Sequence, residues 1–371
     1  MKILIFYTHR ETLGHTIRVL NIAKKLSEEN EVIVLNGGKK QDISIPKNIK
    51  LINIPYVLID RHAYCGIKNV LLSDVIKRTR FIKKIIDGFI PDIFITEHFP
   101  FGRAEDKIAI ISLIKYIKSK NPNVKIISSV GYPLLDRKIE YILDDIKLYD
   151  KIFIHTTEND FNFIRKYMDP EALITYNDFF ENIKENFFLT GYVIDEKYEK
   201  TKNEKTIVVS RGGGAFLPKI ILYSLKAASF FPDYKFIISA GMSSNEKEME
   251  LFKKNAIKNE NIHLYKHIPN IFDMLSSCSV SISASGYNTA TQLLFLKKNS
   301  ILVPLNTLEQ RYRAYMLQDM IGSSVIENND LKIKKIVECL DYQLNNNTSK
   351  YKIDKNIFNG IEIFNKELNN L

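Results

Sequence analysis

Three short stretches of the sequence gather small, polar and titratable residues where a β-branched run gives way to a helical pattern. The first is "YTHRETLGHTIRVL", residues 7–20. Gly14 permits close backbone approach at the start of a helix. His15 then falls in the first helical turn, and Arg18 lies one turn on, on the same face. The dipole at a helix N-terminus disfavours imidazolium, and a neutral imidazole at a ligand site is a general base. The same spacing also fits a surface histidine near a helix cap.

The second stretch is "VVSRGGGAFLPKII", residues 208–221. Three consecutive glycines, Gly212, Gly213 and Gly214, follow Arg211. Such a run costs backbone entropy unless the main chain must approach something closely. Its N–H groups can form a nest for phosphate. No Gly-Lys-Ser/Thr follows, so this is not a P-loop, and Phe216 stands where a dinucleotide fingerprint needs its third glycine. A plain flexible turn is the alternative. The third stretch is "SASGYNTATQLLFLKK", Ser283 to Lys298. Ser285, Gly286, Tyr287, Asn288 and Thr289 fill the joint, and either Asn288 or Thr289 is expected to cap the helix. The amides of a first turn left open in this way face an anion. Gln292 lies one turn in, within reach of a ribose hydroxyl. Further on, Glu309 and Gln310 fall in the first turn of another helix. Capped structural helices are the competing reading of both.

The elements that must position these joints form a repeating strand–helix pattern. "KILIFYTH", "EVIVLNGG", "IKLINIPY", "DIFITEHF", "VKIISSVG", "KIFIHTT" and "NFFLTGYV" are short and apolar without strict alternation, as parallel strands covered on both faces should be. The face Val19, Ile22, Ala23, Leu26 gives one intervening helix. A polar stretch from Asp195 to Lys205 then reads as a linker, and the pattern restarts with "TIVVSRGGG", "YKFIISAG", "NIHLYKHI", "SVSISAS", "NSILVPL" and "SSVIE". The expected fold is therefore α/β, with two doubly wound, Rossmann-like domains facing across a cleft. The expected boundaries are an N-terminal domain at 1–193, a linker at 194–205, a C-terminal domain at 206–350 and a final helix at 351–371. That helix carries Ile353, Ile357, Ile361 and Phe364 at helical spacing, which calls for a partner face in the N-terminal domain. Ligands bind at the carboxyl ends of such sheets, where the three joints lie.

The 371 residues suit two domains, and 45% hydrophobic with 26% charged residues is a globular composition. No apolar run reaches membrane-spanning length, and the N-terminus reads as a first strand rather than a signal peptide. Three distant cysteines, Cys65, Cys278 and Cys339, suit a reducing cytoplasm and show no metal spacing. The net charge is +10. The lysines are scattered among acidic residues, with no basic cluster interleaved with aromatics, so a nucleic-acid partner is not expected.

"SGYNTATQLLFLKKNSILVPL…EQRYRA" resembles the donor-binding segment of GT-B glycosyltransferases of the family-28 type, which includes the lipid II-forming N-acetylglucosaminyltransferases. "GHTIRVLNIAKKL" is similar to that group's glycine–histidine loop. "TEHFPFGR" (Thr96 to Arg103), "TGYV" and "SRGGGAFLPKII" resemble a little-characterised subgroup of predicted glycosyltransferases. The resemblance spans most of the chain and implies roles residue by residue. Arg211 to Gly214 would contact the donor's diphosphate or sugar, and Ser285 to Thr289 would face the diphosphate. Gln292 stands where a ribose-binding Glu is usual, a departure that leaves the nucleotide, UDP above all, open. Glu309 and Gln310 would bind sugar hydroxyls. Gly14, His15 and Arg18 would lie on the acceptor side. No cofactor and no catalytic metal are implied, and the Asp144–Asp145 pair in "LDDI" sits in an apolar helical pattern.

The implied reaction is inverting, metal-independent sugar transfer from a nucleotide-sugar, UDP-linked by resemblance, to an acceptor hydroxyl. Arg211 and the amides of the two small-residue joints would stabilise the leaving diphosphate. His15 is the first candidate base, with Glu97 and His98 at the end of "DIFITEHF" behind it. A nucleotide-sugar hydrolase, a 2-epimerase or a non-catalytic nucleotide-sugar-binding protein on the same fold are the alternatives. The acceptor stays unspecified. A lipid-linked one, with a cytoplasmic protein visiting the inner membrane face, is one reading of "PYVLIDRHAYCGIKNVLLSDVIKRTRFIKK". There Val70, Leu71, Leu72, Val75 and Ile76 mix with Lys68, Lys77, Arg78, Arg80, Lys83 and Lys84. An ordinary helix with a solvated basic face is the other.

Overall fold

A computed structural model describes every residue except 10–12, 42, 58–70, 133–138, 196, 200–204, 215 and 258. Two compact units emerge. One contains His15–Val193 and Asn356–Leu371 together with the first strand, and the other is built on Ile194–Lys355.

The first unit is a seven-stranded sheet in the order β3-β2-β1-β4-β5-β6-β7, parallel throughout. Its strands are β1 (Lys2–Tyr7), β2 (Glu31–Asn36), β3 (Ile49–Asn53), β4 (Ile93–Glu97), β5 (Lys125–Val130), β6 (Lys151–Ile154) and β7 (Phe187–Leu189). The helices between them are α1 (Gly14–Leu26), α2 (Leu72–Gly88), α3 (Lys107–Lys120), α4 (Ile139–Ile146), α5 (Glu158–Arg165) and α6 (Pro170–Asn182). After its first residue β1 is buried throughout, and all of β4 is buried, because helices cover both faces of a parallel sheet. Val19, Ile22, Ala23 and Leu26 of α1 pack on Ile3, Ile5, Val34 and Ile95, so the helical face read from the sequence is the one that meets the sheet.

The second unit repeats the plan with six parallel strands in the order β10-β9-β8-β11-β12-β13. They are β8 (Thr206–Ser210), β9 (Lys235–Ser239), β10 (Ile262–Tyr265), β11 (Val280–Ser283), β12 (Ser300–Leu302) and β13 (Ser324–Val325). The helices are α7 (Pro218–Ala227), α8 (Glu246–Ala256), α9 (Ile271–Ser277), α10 (Tyr287–Leu296), α11 (Leu308–Ile321) and α12 (Ile333–Asn345). The described part of the polar stretch before β8 is not bare. Tyr198 packs against the Phe272 ring at 5.0 Å, and the Glu199 N–H donates to Asp273.

The last helix, α13 (Gly360–Asn369), is shorter than the expected 351–371, because Ile353 and Ile357 precede it and Ile353 falls in the second unit; α13 itself belongs to the first unit. Phe364 meets the Phe153 ring edge-on at 4.7 Å, and Phe364 and Leu368 join the β-sheet core. The approach to it is close-packed. The Tyr192 N–H donates to the Ile357 carbonyl, and a Cβ on Gly360 would lie 2.5 Å from the Tyr192 oxygen.

The α2 segment corrects part of the amphipathic reading. Val70 and Lys68 lie outside the described residues. Arg78 is not on the solvated face. It is buried, pairs with Asp106 at 2.7 Å and donates to the carbonyls of Pro55 and Gly37. Burial makes such an arginine a structural tie, because its charge needs every one of those acceptors. Val75 and Ile82 are core, whereas Leu71, Leu72, Ile76, Lys77, Arg80, Phe81 and Lys84 face outward. Among the described residues no helix is long and apolar enough to cross a membrane.

Candidate active site

In both sheets the strand order reverses direction beside the central strand, and the chemistry-bearing joints lie there. β1 and β4 flank that point in the first unit, and β8 and β11 in the second. Crevices at such points bind ligands in open α/β sheets.

In the first unit α1 follows β1, and its second residue is His15. Its imidazole Nδ1 lies 2.7 Å from Glu97 Oε1, at the end of β4. The carboxylate is fully enclosed, whereas the imidazole keeps 21% of its side-chain surface. Arg18 Nη2 donates to the same Glu97 oxygen. Burial lowers the His15 pKa to about 4; Glu97 opposes that effect, and the cations Arg103 and Arg18 add to it. Burial would raise the Glu97 pKa, but His15 and Arg18 outweigh it and hold the carboxyl below the usual carboxylate range. At neutral pH the pair is therefore carboxylate and neutral imidazole. An ionised carboxylate only accepts, so Nδ1 carries the proton and Nε2 presents a lone pair.

His98 adopts φ 67°, a left-handed conformation uncommon outside glycine. This turns the chain at the end of β4 and brings the His98 ring to 5.6 Å from that of His15 and 5.7 Å from Tyr132. Gly102 leaves room for it, since a Cβ there would lie 2.6 Å from the His98 ring. His15, Glu97, His98 and Arg18 are thus brought together, with Gly14 opening the helix beside them. The individual residues could be read from the sequence, but their convergence needed the β1–β4 pairing. Sequence reasoning missed Gly102 and Gly131 as space-makers and Arg103 as a neighbouring cation. A glycine directly after a buried strand, as in "SSVGY", was the available signal for Gly131. Asp145 of α4 pairs with Lys107 at 2.8 Å, a structural tie.

In the second unit two expectations need correction. The triple glycine does not open a helix. Leu217 is the N-cap of α7, with φ 55°, and the helix begins at Pro218, which has no N–H to offer. Gly212 to Gly214 instead form a loop, with Gly212 at φ 81° and its N–H donating to Ser210 Oγ. That loop rests on the one after β9. Gly241, at φ 101°, lies so close that a Cβ would meet the Gly212 oxygen at 2.8 Å, and the Ser243 N–H donates to the Gly213 carbonyl. Arg211 fastens the two together. Its buried guanidinium donates to the Ala240 carbonyl, to Ser244 Oγ at 2.8 Å and to both oxygens of Glu248.

The second correction concerns α10. Its N-cap is Gly286, not Asn288 or Thr289, and no side chain caps it. Asn288, Thr289 and Gln292 are half-buried on its first turns, and Tyr287 is buried. Ser285 Oγ donates to the Gln310 carbonyl. α11 is capped by Thr307, which accepts from the Gln310 N–H. The Gln310 side-chain oxygen accepts from the Leu305 N–H, and Glu309 pairs with Arg313 at 2.7 Å. Arg313, which sequence reasoning did not single out, is buried over the rings of Tyr287 and Tyr312. The (i, i+4) Glu309–Arg313 spacing was its signal.

The arrangement therefore supplies a buried carboxylate–imidazole pair in one unit, and in the other an uncapped helix start beside a braced glycine loop. Residues 193–367 match the family model described as "Glycosyltransferase family 28 C-terminal domain". Among curated proteins the chain is similar to a UDP-N-acetylglucosamine--N-acetylmuramyl-(pentapeptide) pyrophosphoryl-undecaprenol N-acetylglucosamine transferase of Thermosipho melanesiensis. The two are 24% identical over 354 residues, covering 92% of this chain and 89% of that one. Among solved structures it resembles Acinetobacter baumannii MurG, with a TM-score of 0.55, 11% identity and coverage of 93% of this chain and 91% of that one. It also resembles a UDP-GlcNAc 2-epimerase from Neisseria meningitidis bound to UDP-GlcNAc, with a TM-score of 0.62, 12% identity and full coverage of both. Two doubly wound units of GT-B fold, a glycosyltransferase family 28 C-terminal domain over residues 193–367 and these relatives identify a glycosyltransferase that transfers a sugar from a nucleotide-sugar donor.

Proposed function

We propose that this glycosyltransferase moves a sugar from a UDP-linked donor to the hydroxyl of a lipid-linked acceptor, with inversion, without a catalytic metal, in the cytoplasm at the inner membrane face. The observation that carries the reading is the 2.7 Å hydrogen bond between His15 and the buried Glu97. It fixes one imidazole tautomer and leaves Nε2 as general base toward an acceptor hydroxyl. The UDP donor and the lipid-linked acceptor are inferred from the name of the Thermosipho relative.

In this proposal the first unit receives the acceptor, with Gly14, His15 and Arg18 on that side and His98 flanking the base. The second unit holds the donor. The open amides at Gly286 to Thr289 face the diphosphate, and those at Gly212 to Gly214 face its far end or the sugar. Arg211 acts through the glycine loop, because its guanidinium already serves Ala240, Ser244 and Glu248. Ser285 orients the joint, and Tyr287 packs beneath it. Gln292 takes the ribose, and Glu309 and Gln310 the sugar hydroxyls. As charge develops on the leaving diphosphate, fixed N–H dipoles stabilise it, and each such donor contributes about 3 kcal/mol.

A thermal-shift panel of UDP and UDP-sugars tests the donor half, since binding to the folded state alone raises the melting temperature. No shift with any UDP compound would refute it. UDP release without acceptor would identify the hydrolase or epimerase chemistry instead. Membrane contact is tested by flotation with anionic vesicles at low salt. Charge reversal at Lys77, Arg80 and Lys84 should weaken it, and Arg78 is left intact because it is buried. Absence of flotation would leave a soluble acceptor.

A further inference from the structure

Arg18 does more than neighbour His15. Its guanidinium is 3% exposed and shares a single oxygen of Glu97, Oε1, with His15. Glu97 Oε2 is buried with no hydrogen-bond partner among the described residues. Both donors therefore converge on one atom. The guanidinium occupies the space above Gly131, just past the end of β5. A Cβ there would lie 2.5 Å from Nη1, 2.6 Å from Cζ and 2.9 Å from Nη2. Gly131 does not have a positive φ, so its backbone would accept any residue. The requirement for glycine is spatial, and what it makes room for is the guanidinium.

A buried carboxylate demands a positive partner. Without Arg18, the nearest group able to supply that charge is His15, by taking up a proton. Imidazolium has no lone pair to accept a proton from a substrate. We propose that Arg18, seated on Gly131, is the permanent counter-ion of Glu97, so that His15 can hydrogen-bond the carboxylate while staying neutral. Arg18 is then a positioning residue that acts through Glu97. This deepens the reading of His15 as general base and rests on it.

The charged and titratable groups about His15 are Arg18 on its own helix, Glu97 and His98 at the end of β4, and Arg103 in the loop beyond. His155, the residue after β6, lies past Arg18. It is hydrogen-bonded to Ser129 and Thr190 and kept neutral mainly by burial, with Arg18 adding to the effect. Replacing Arg18 with an uncharged residue removes a cation from the pair, so imidazolium becomes easier to form and the His15 titration moves to higher pH.

The test is histidine-labelled NMR of the full chain, reading tautomer and titration of His15, assigned by its loss in His15→Gln. In the unaltered protein His15 should show the Nδ1–H tautomer and titrate near pH 4. Arg18→Met should move the titration up by about one pH unit or more. Arg18→Lys should restore most of the original value, because the charge returns. Gly131→Ala should move it in the same direction as Arg18→Met, by displacing the guanidinium. If Arg18→Met does not fold, Gly131→Ala decides. An unchanged His15 titration and tautomer in the folded variants would overturn the proposal and reduce Arg18 to a packing residue. A shifted titration alongside full turnover in His15→Gln would instead uphold the counter-ion role and reject His15 as the base.

Discussion

At the scale of single residues, burial keeps His15 and His155 of the first unit neutral. Burial lowers His15 to about 4 and His155 to about 3. An unfolded chain protonates both near pH 6.5. Below that pH the unfolded state binds protons that the native state refuses, so stability falls as acidity rises. The loss should run from about pH 6.5 down toward the folded values, at about 1.4 kcal/mol per pH unit for each histidine. Denaturant titrations at pH 7 and pH 5 should show it, and His155→Gln should flatten the slope. An equal slope in that variant would mean His155 is not held neutral. The sequence made His15, Glu97 and His98 candidates because each type can move or hold a proton. It could not show that His15 and Glu97, 82 positions apart, share a hydrogen bond. That follows from β1 pairing with β4, a long-range register that no local pattern encodes.

At the scale of elements, the proposed donor site sets stability against ligand at α10. Its N-cap is Gly286, with no side-chain cap, and a Cβ added there would meet nothing within 4 Å. Gly286→Asp would supply the missing cap and place a carboxylate on the helix dipole. That change should stabilise the unit by about 0.5–1 kcal/mol and abolish the UDP-induced thermal shift, because the new anion competes with the diphosphate. A stabilised variant with an intact UDP shift would show that the diphosphate is bound elsewhere. Strands were legible here because apolar β-branched runs mark them directly, and "SVSISAS" is β11 almost as read. Helix starts were less so. The triple glycine stands at a strand-to-helix joint, but Leu217 in a left-handed conformation followed by Pro218 delays α7. Asn288 and Thr289 are good capping types, yet the extended backbone at Gly286 sets the cap earlier. Capping depends on a dihedral that residue preference only biases.

At the scale of the whole molecule, the returning C-terminal helix makes the first unit depend on residues far away in sequence. Phe364 is 1% exposed and packs on Phe153. Phe364→Ala should cost about 3–5 kcal/mol and lower one calorimetric transition, leaving a transition that UDP still raises. A uniform fall of both would mean the units do not melt separately. Of Ile353, Ile357, Ile361 and Phe364, read as one helical face, only Ile361 and Phe364 lie in α13, and they pack against the sheet core of the first unit. The buried Arg78 was unreadable in the same way, because a basic residue on an amphipathic helix looks solvated until Asp106 is placed beside it. The central claim, that His15 activates an acceptor for attack on a UDP-sugar, is tested most directly by acceptor-dependent UDP release. The measurement compares the unaltered chain with His15→Gln, using UDP-N-acetylglucosamine and a lipid extract as acceptor source. Turnover should fall by about 10²–10⁴-fold in the variant while its UDP thermal shift stays unchanged. Turnover within a few-fold of the unaltered chain would contradict the claim.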